Sequence, residues 1–395
     1  MTTELVTGIS ELTTNDPERG GLLGRVKNAA VVIDGDTIAW VGPAADAPAA
    51  DTRTDLGGRA LLPGWVDSHT HLIFSGDRSE EFEYRMAGNA YQAGGIRTTV
   101  RATTEASDEQ LRAGLAARRR TAQRNGTTWM EVKTGYGLDV AQETRLARLA
   151  AEVTSDVTFL GAHVVPPDTH ADDYVALVVG DMLAAVLPYV AWIDVFCERG
   201  AFDPDQSRTV LEAGRAAGLG LRVHGNQLGE GDGVRLAVEL GAASVDHCNH
   251  LGPRDIEALG SGGTVATLLP ACDLSTREPF PPARALLDAG ATIALASNGN
   301  PGTSNTTSMA FCVATAVLQM HLTIEEAIWA ATAGGARALR RDGGDSPIGA
   351  IIPGHRADLH AIDAPSVSHF AYRPGMDLTY DVWARGRRSS TSPSP

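Results

Sequence analysis

The sequence predicts an α/β fold: a (β/α)8 barrel of the TIM type with a small flanking β-sandwich domain built from both termini. Eight short apolar runs alternate with longer, mostly helical stretches, and the 395 residues exceed what one small core needs. From the fourth run onward the runs recur every ~20–30 residues, which is the spacing that a β/α unit requires. The eight runs lie at residues 61–67, 127–133, 157–163, 192–198, 221–227, 243–249, 264–270 and 292–300.

The stretches between the runs favour helices. Residues 206–217, 233–240 and 283–289 place apolar side chains at helical spacing. The interval from 67 to 127 is too long for one helix, so we expect it to contain an active-site loop. Together these stretches support alternating strands and helices, which is the pattern of a parallel barrel.

The two ends of the chain predict a second, smaller domain. Residues 29–43 hold two β-type runs around Asp34 and Gly35, which is a hairpin signal. Two further β-type segments, 357–363 and 380–385, lie near the other end and are expected to pair with the first region. We therefore assign residues 1–60 and 351–388 to the β domain and 61–350 to the barrel. The Ser- and Pro-rich residues 389–395 are predicted to be a disordered tail.

Composition limits the possible partners and locations. The formal net charge of −15 argues against binding nucleic acid or an anionic membrane. The four cysteines have neither zinc-ribbon nor disulfide spacing, which is typical of buried thiols in a reducing compartment. Neither a signal-peptide pattern nor an apolar run of ~18 residues is present. We expect a cytoplasmic protein whose partner is a small molecule.

Histidines follow several of the predicted strands. His69 and His71 end the first run, while His224 and His247 lie in the fifth and sixth runs. Side chains at i and i+2 of a strand point to the same side, so His69 and His71 can bind one cation together. A His-x-His pair alone is more often a pair of hydrogen-bonded core histidines. Because the carboxyl ends of parallel strands share one rim of a barrel, several histidines there indicate a single-metal site.

Longer motifs extend this pattern over most of the chain. They lie at residues 62–71, 76–82, 94–103, 131–138, 159–163, 194–198, 246–247 and 300–302. With these motifs the chain resembles the amidohydrolase superfamily and, within it, is most similar to the imidazolonepropionase family of histidine degradation. The Glu-x-Lys-x-Gly-Tyr-Gly segment at 131–137 and the Asn-Pro-Gly turn at 300–302 are its most specific features.

The resemblance implies a hydrolase that acts on the C–N bond of a cyclic amide, with one zinc or iron ion per subunit of a homodimer. The reaction would open the ring of 4-imidazolone-5-propanoate to N-formimino-glutamate. The implied metal ligands are His69, His71, His224 and the residue at position 298, which is Asn298 here. The implied substrate-binding residues are Arg78, Tyr91, Tyr136, His163, Gln227, Asn300, Gly302 and Thr303.

Two of these residues also suit their roles on chemical grounds. The guanidinium of Arg78 can bind a propionate carboxylate through two hydrogen bonds, although an isolated loop arginine is more often a surface residue. Tyr136 stands between Gly135 and Gly137, which permit the unusual backbone turns that aim a side chain inward. Without the resemblance, a packed loop tyrosine would be an equally good interpretation.

Two positions depart from the pattern. The resemblance predicts an aspartate ligand where Asn298 stands, and many relatives carry a glutamate where Gln227 stands. An amide cannot accept a proton at neutral pH, and losing a general base costs ~10²–10⁴-fold in rate. His247 is then the remaining candidate for proton transfer. Gln227 and Asn298 are the other catalytic candidates.

Three origins of Asn298 stay open. The chain could be a paralogue redirected to a different or non-hydrolytic reaction on a related heterocycle or amidine, an engineered variant, or a protein whose Asn298-Gly299 pair deamidates. Atypical residues at 270–274 and 305–307 favour the first. A ligand-binding pseudoenzyme is a further alternative, which the three metal-type histidines and Arg78 disfavour.

Overall fold

The computed structural model describes residues 2–88 and 95–390. The described strands are β1 (Thr3–Leu12), β2 (Val26–Asp34), β3 (Thr37–Pro43), β4 (Thr52–Pro63), β5 (Trp65–Asp67), β6 (Thr127–Met130), β7 (Val132–Lys133), β8 (Val157–Ala162), β9 (Trp192–Cys197), β10 (Gly220–Gly225), β11 (Ser244–His247), β12 (Val265–Leu268), β13 (Ile293–Leu295), β14 (Leu359–Ile362), β15 (Thr379–Ala384) and β16 (Arg387–Ser390).

The α-helices connect these strands. The described helices are α1 (Ser79–Met86), α2 (Ile96–Glu105), α3 (Asp108–Arg124), α4 (Val140–Ala151), α5 (Ala171–Leu177), α6 (Leu183–Val186), α7 (Pro204–Ala216), α8 (Gly233–Glu239), α9 (Pro253–Ser261), α10 (Pro270–Thr276), α11 (Ala283–Asp288), α12 (Met309–Gln319), α13 (Ile324–Trp329), α14 (Gly335–Ala338) and α15 (His369–Tyr372). The predicted helices at 206–217, 233–240 and 283–289 correspond to α7, α8 and α11.

The chain divides into two compact units. One unit comprises residues 69–119 and 130–307, and its centre is a parallel sheet of seven strands in the order β13-β12-β11-β10-β9-β8-β7. Strands such as β8 and β11 are buried along their whole length, because helices connect the parallel strands and cover the sheet. This is the alternating α/β architecture that the sequence predicts.

The predicted eight-stranded barrel is confirmed only as this seven-stranded parallel sheet. The first predicted run, 61–67, instead contributes the end of β4 to another sheet and β5 to a two-stranded pair with β6. Gly64 interrupts the run, and a Cβ there would lie 2.3 Å from the Thr128 side chain. The close backbone packing at Gly64 explains why one apolar run forms two short strands.

The segment 69–71 lies between the two edges of the seven-stranded sheet. The Lys133 amide at the β7 edge donates to the Thr70 carbonyl at 2.8 Å. Beyond β13, the His71 amide donates to Gly299 and the Asn298 amide donates to His69, both at 3.0 Å. These backbone bonds hold the His-x-His segment beside the carboxyl ends of β7 and β13.

The other unit comprises residues 1–68, 120–129 and 308–395. Its described strands from both termini form one seven-stranded sheet in the order β16-β15-β14-β4-β1-β2-β3. The predicted hairpin around Asp34 and Gly35 is the antiparallel pair β2 and β3, and the predicted segments near the other end are β14 and β15. A β region built from both termini is therefore confirmed as a single sheet.

Two further predictions concern residues at the edges of the described chain or outside it. Strand β16 includes Ser389 and Ser390, which the sequence analysis assigned to the disordered tail; their backbone pairs with β15. Residues 391–395 and the predicted pocket residue Tyr91 lie outside the described residues. In the described chain, none of the helices has the length and apolar character needed to cross a membrane.

Candidate active site

Three histidines converge beside the sheet. His69 Nε2 lies 3.2 Å from His71 Nε2, and His224 Nε2 lies 3.4 Å from the same His71 atom. His69 and His71 follow β5, while His224 lies near the end of β10. All three side chains are buried, and their ligand atoms lie within 4.8 Å of one another. Three imidazole nitrogens at this separation can bind one cation.

Carboxylates orient two of these rings from behind. His69 Nδ1 lies 2.7 Å from Asp246 Oδ2, and His224 Nδ1 lies 3.1 Å from an Asp194 carboxylate oxygen. A histidine that donates Nδ1–H to a carboxylate presents the lone pair of Nε2 on the other side of its ring. This arrangement of ligand and supporting carboxylate is typical of metal-binding histidines.

The three histidines are better arranged to bind a metal cation than to satisfy one another with hydrogen bonds. Burial, followed by the charge of Lys133, lowers the pKa of His69 to about 3, so its ring is neutral. The Nε2 lone pairs of His69 and His224 both face His71 Nε2, which can carry at most one hydrogen. His71 Nδ1 is buried without a hydrogen-bond partner among the described residues. A cation between the three rings would use these lone pairs at once.

A buried ion network surrounds the supporting carboxylates. Lys133 Nζ lies 2.9 Å from Glu131, 2.8 Å from Asp194 and 3.7 Å from Asp246, and Arg222 lies 3.5 Å from Asp246. Burial alone would raise the pKa of Asp194, but His224 and Lys133 hold that pKa well below its ordinary value. Three carboxylates against two cations leave one net negative charge, which offsets part of the charge of a divalent metal.

Sequence analysis missed the roles of Glu131, Asp194, Arg222 and Asp246. A signal was present, because these charged residues stand inside otherwise apolar strand runs. Arg222 and His224 are two positions apart on β10, and Glu131 lies two positions before Lys133. Side chains at this spacing share one face, so Arg222 lies on the same face of β10 as the predicted ligand His224, and Glu131 lies on the same face as Lys133.

A second group of possible ligands, His247, Cys272 and Asp273, suits a cation less well. Burial, then the charge of Asp273, raises the pKa of the Cys272 thiol to about 12. Burial also raises the pKa of Asp273 well above its ordinary value, and Asn249 donates to this carboxyl at 2.7 Å. Because both groups favour their neutral forms, they offer little charge to a metal.

The three-histidine cluster opens into a cavity of about 310 Å³. Its lining includes most of the residues that the sequence predicts for the site, namely His71, Arg78, Tyr136, His163, His224, Gln227, His247, Asn298, Asn300 and Thr303. His69 is fully buried and lies behind His71 and His224. The structure therefore brings most of the predicted metal and substrate residues to one cavity, whereas Gly302 is not among its lining residues.

Arg78 lies at the start of α1 with its guanidinium held in place. Its Nε and Nη2 donate to the two oxygens of Glu81 at 2.8 and 2.7 Å. Arg85 also contacts Glu81 at 3.3 Å and donates to the Gly302 carbonyl at 3.0 Å. A Cβ at Gly302 would lie 2.2 Å from Arg78 Nη1, so a larger residue there would displace the guanidinium from this position. Two arginines on one glutamate leave a net positive charge beside the cavity.

Tyr136 and His163 follow the adjacent strands β7 and β8. Gly135 has φ +108°, and a Cβ there would lie 2.9 Å from His163 Nδ1. The Gly135 carbonyl lies 3.0 Å from that nitrogen, which fixes the tautomer with hydrogen on Nδ1. Burial, then His224, lowers the pKa of His163 to about 4. The Nε2 of His163 is therefore a neutral acceptor.

The Asn-Pro-Gly turn uses the Asn300 side chain internally. Asn300 Oδ1 accepts from the amides of Gly302 and Thr303, both at 2.8 Å. Its Nδ2 donates to the Asn298 carbonyl at 2.7 Å and to Thr303 Oγ1 at 2.9 Å. Asn300 thus shapes the rim of the cavity through turn bonds as well as lining it.

The three catalytic candidates, His247, Gln227 and Asn298, all line the cavity. His247 ends β11, and burial followed by the charge of His224 lowers its pKa well below the ordinary value, so the ring is neutral. The Gln227 amide donates to Glu198 Oε2 at 2.8 Å, and the next amide, of Leu228, donates to the same oxygen at 3.0 Å. Asn298 follows β13 and is 3% exposed. Glu198 therefore fixes the loop that carries Gln227.

The fold and the site together indicate the class of protein to which the chain belongs. A parallel α/β sheet that places three carboxylate-supported histidines in a polar cavity beside its strand ends is typical of metal-dependent hydrolases. The amidohydrolase family model matches residues 60–388.

Curated relatives cover nearly the whole chain. The chain is 62% identical over 388 residues to an imidazolonepropionase of Saccharopolyspora erythraea, covering 98% of this chain and 99% of the relative. It is 60% identical to an imidazolonepropionase of an Arthrobacter species, with 98% and 99% coverage. The chain therefore belongs to the amidohydrolase family and, within it, to the imidazolonepropionases.

Solved structures support the fold. The chain is similar to an adenosine deaminase from Xanthomonas campestris with bound zinc, with a TM-score of 0.72, 19% identity, and coverage of 98% of this chain and 92% of that one. It is also similar to the zinc complex of an atrazine chlorohydrolase from Arthrobacter aurescens, with a TM-score of 0.72, 17% identity, and 98% and 94% coverage. The family and the histidine cluster make the protein a metal-dependent hydrolase of C–N bonds.

Proposed function

We propose that this protein hydrolyses 4-imidazolone-5-propanoate and opens its ring to N-formimino-glutamate. The observation that carries the proposal is one cavity that joins the three-histidine cluster to Arg78, Tyr136 and His163. The near-complete match to relatives named imidazolonepropionase supports this substrate over other cyclic amides.

We propose zinc or iron as the metal. His69, His71 and His224 would hold the ion through imidazole nitrogens, which both metals accept. When bound, such an ion supplies Lewis acidity, which polarises a carbonyl and lowers the pKa of water. The net negative ion network of Lys133 and its neighbours would stabilise the added positive charge.

Arg78 would bind the propionate of the substrate. Its guanidinium is fixed by Glu81 in the cavity wall, so little side-chain entropy is lost when it binds a carboxylate. Arg85 adds positive charge behind it. Tyr136 and His163 lie on the same wall as neighbours, with ring centroids 5.7 Å apart, and would contact the ring of the substrate.

His247 would move the proton. Its ring lines the cavity and is neutral, so a ring nitrogen has a lone pair that can take a proton from water and return it to the leaving nitrogen. Burial lowers its pKa and makes it a weaker base than an exposed histidine. Gln227 and Asn298 can donate or accept hydrogen bonds there but cannot take the proton. Their amides would orient the substrate and the water instead.

Ring opening can be measured directly. Purified protein is stripped with a chelator, reloaded with zinc or iron, and given imidazolonepropionate while its ultraviolet absorbance is followed. We expect absorbance loss and formation of N-formimino-glutamate only in the metal-loaded samples. Stoichiometric metal without ring opening would reject this substrate.

A further inference from the structure

One buried carboxylate holds the loop that carries Tyr136, residues 134–138. Glu143 lies in the first turn of α4 and is fully buried. Its Oε1 accepts from the Gly137 amide at 2.6 Å and from the Leu138 amide at 3.1 Å. The Gly135 amide lies 3.1 Å from Oε2 and 3.2 Å from Oε1. Three backbone amides of one loop therefore bond to a single side chain.

A charged carboxylate suits these donors better than a neutral side chain does. Burial raises the pKa of Glu143, and hydrogen bonds from the loop, including those of the Leu138 and Gly137 amides, counteract this shift. Backbone amides can only donate, so each of them needs an oxygen lone pair. A glutamine of the same shape could offer its oxygen to Gly137 and Leu138 only by turning its NH2 group toward the Gly135 amide. Two donors would then face each other, which a carboxylate avoids.

Gly135 connects this carboxylate to His163. The amide of Gly135 bonds to Glu143, while its carbonyl lies 3.0 Å from His163 Nδ1. The position of Gly135 therefore decides whether His163 keeps its hydrogen on Nδ1 and its lone pair on Nε2. A shift of this backbone would release His163 as well as the loop.

Tyr136 is held from both sides. The residues before and after it, Gly135 and Gly137, both donate to Glu143. A Cβ at Gly137 would lie 2.6 Å from the backbone nitrogen of Glu143, so the loop packs directly on the start of α4. The Tyr136 ring lines the cavity, with its centroid 5.7 Å from that of His163. Sequence analysis attributed the inward turn of Tyr136 to the two glycines alone and did not include Glu143.

We propose that Glu143 is a positioning residue that holds Tyr136 and His163 in the cavity wall where the ring of the substrate would bind. The carboxylate fixes the backbone on both sides of Tyr136 and, through Gly135, the tautomer of His163. This inference rests on the proposed function, which assigns both side chains to the substrate ring. The hydrogen bonds of Glu143 go to the loop and not to the three-histidine cluster, so zinc binding should not depend on it.

Glu143→Gln tests the proposal in ring opening at saturating zinc. Because a misplacement of about 1 Å can cost 10²-fold in rate, we expect kcat/KM to fall ~10–100-fold while the zinc content stays like that of the parent. Glu143→Asp keeps both carboxylate oxygens and should lose less. Glu152→Gln makes the same substitution at the exposed end of α4 and is the matched control, which should behave like the parent.

The position of Tyr136 is followed without substrate by fluorine NMR of protein labelled with fluorotyrosine. The chain has seven tyrosines, and the resonance that is missing from Tyr136→Phe identifies residue 136. In Glu143→Gln we expect this resonance to shift or broaden. The resonance of Tyr380 on β15, assigned in the same way, should stay in place.

The proposal is overturned if Glu143→Gln leaves either kcat/KM or the Tyr136 resonance unchanged. It is also overturned if the folded variant loses zinc or shifts the Tyr380 resonance as well, since that result indicates a general structural effect. If Glu143→Gln does not fold, Gly137→Ala perturbs the same contact from the loop side and is judged by the same criteria. A parent protein that fails to open the imidazolone ring rejects the proposed substrate, whereas the Tyr136 resonance still decides whether Glu143 positions this side chain.

Discussion

Two regions of the molecule bury histidines in different ways. In the parallel-sheet unit, His69 and His224 each place Nδ1 against a carboxylate and turn Nε2 toward His71. In the terminal sheet, His360 on β14 is equally buried, but among the described residues its ring nitrogens bond only to Thr379 Oγ1, at 3.1 Å. His360 packs instead between aromatic rings, with Trp65 at 5.5 Å and Phe370 at 5.9 Å.

The difference shows what makes a buried histidine a metal ligand. Burial lowers the pKa to about 3 at both His69 and His360, so neutrality does not distinguish them. The site histidines differ because carboxylates fix their tautomers and several lone pairs point at one place. His360 is the core histidine that a sequence pattern alone cannot separate from a ligand.

The largest expected effect comes from removing a ligand. His224→Ala leaves two imidazoles for the metal, and because Lewis acidity supplies several kcal/mol of transition-state stabilisation, we expect ring opening to fall ~10³-fold or more. Zinc content after dialysis should fall in parallel. His360→Gln is the matched control and should keep both zinc content and rate. If His224→Ala retained stoichiometric zinc and full rate, the three-histidine centre would be wrong.

The second prediction concerns the side-chain amide of Asn298. Asn298→Asp adds a carboxylate beside the histidines, which increases the negative charge available to a divalent metal. It also supplies a base, and the contribution of a positioned base is ~10²–10⁴-fold, so we expect faster ring opening with tighter zinc binding. Steady-state rates at saturating zinc separate the two effects. An unchanged rate with tighter zinc binding would mean that His247 already supplies the proton transfer.

The third prediction tests the supporting carboxylates. Asp246→Asn keeps the shape of the side chain but removes the charge behind His69 and beside Arg222. We expect zinc affinity to fall ~10–100-fold, as is usual when the outer partner of a metal ligand is lost. Chelator competition measures this loss. Unchanged zinc affinity would show that the three convergent imidazole rings bind the metal without a supporting carboxylate.

Much of this arrangement was predictable from the sequence. Apolar runs followed by His, Tyr and Asn predicted both the parallel strands and the shared cavity, because strand ends of one parallel sheet lie together. The terminal hairpin was predictable because the Asp34-Gly35 pair favours a tight turn, and the structure has a two-residue turn at Gly35 and Asp36. Run 61–67 was wrongly predicted as one barrel strand, since periodicity cannot show that backbone packing at Gly64 divides it.

The remaining features depend on tertiary contacts. Asp194 on β9 supports His224 on the neighbouring strand β10, and Asp246 on β11 supports His69, which follows β5. Pairings between separate strands are not readable from a single run of residues. Charges inside apolar runs are a signal that points to the carboxylates.

The smallest effect is expected at His360 and concerns stability. Burial lowers its pKa to about 3 from an ordinary value of 6.5, so between these values the unfolded chain binds a proton that the folded chain excludes. This histidine therefore contributes stability above pH 6.5 that is lost as pH falls, at about 1.4 kcal/mol per pH unit. Urea unfolding of the parent and of His360→Phe at pH 6 and pH 5 measures the difference in slope. We expect the variant to lose about 1.4 kcal/mol less over that unit, because the site histidines titrate in both proteins. Equal slopes would mean that the folded protein accommodates the protonated ring, and burial would then not be what keeps His360 neutral.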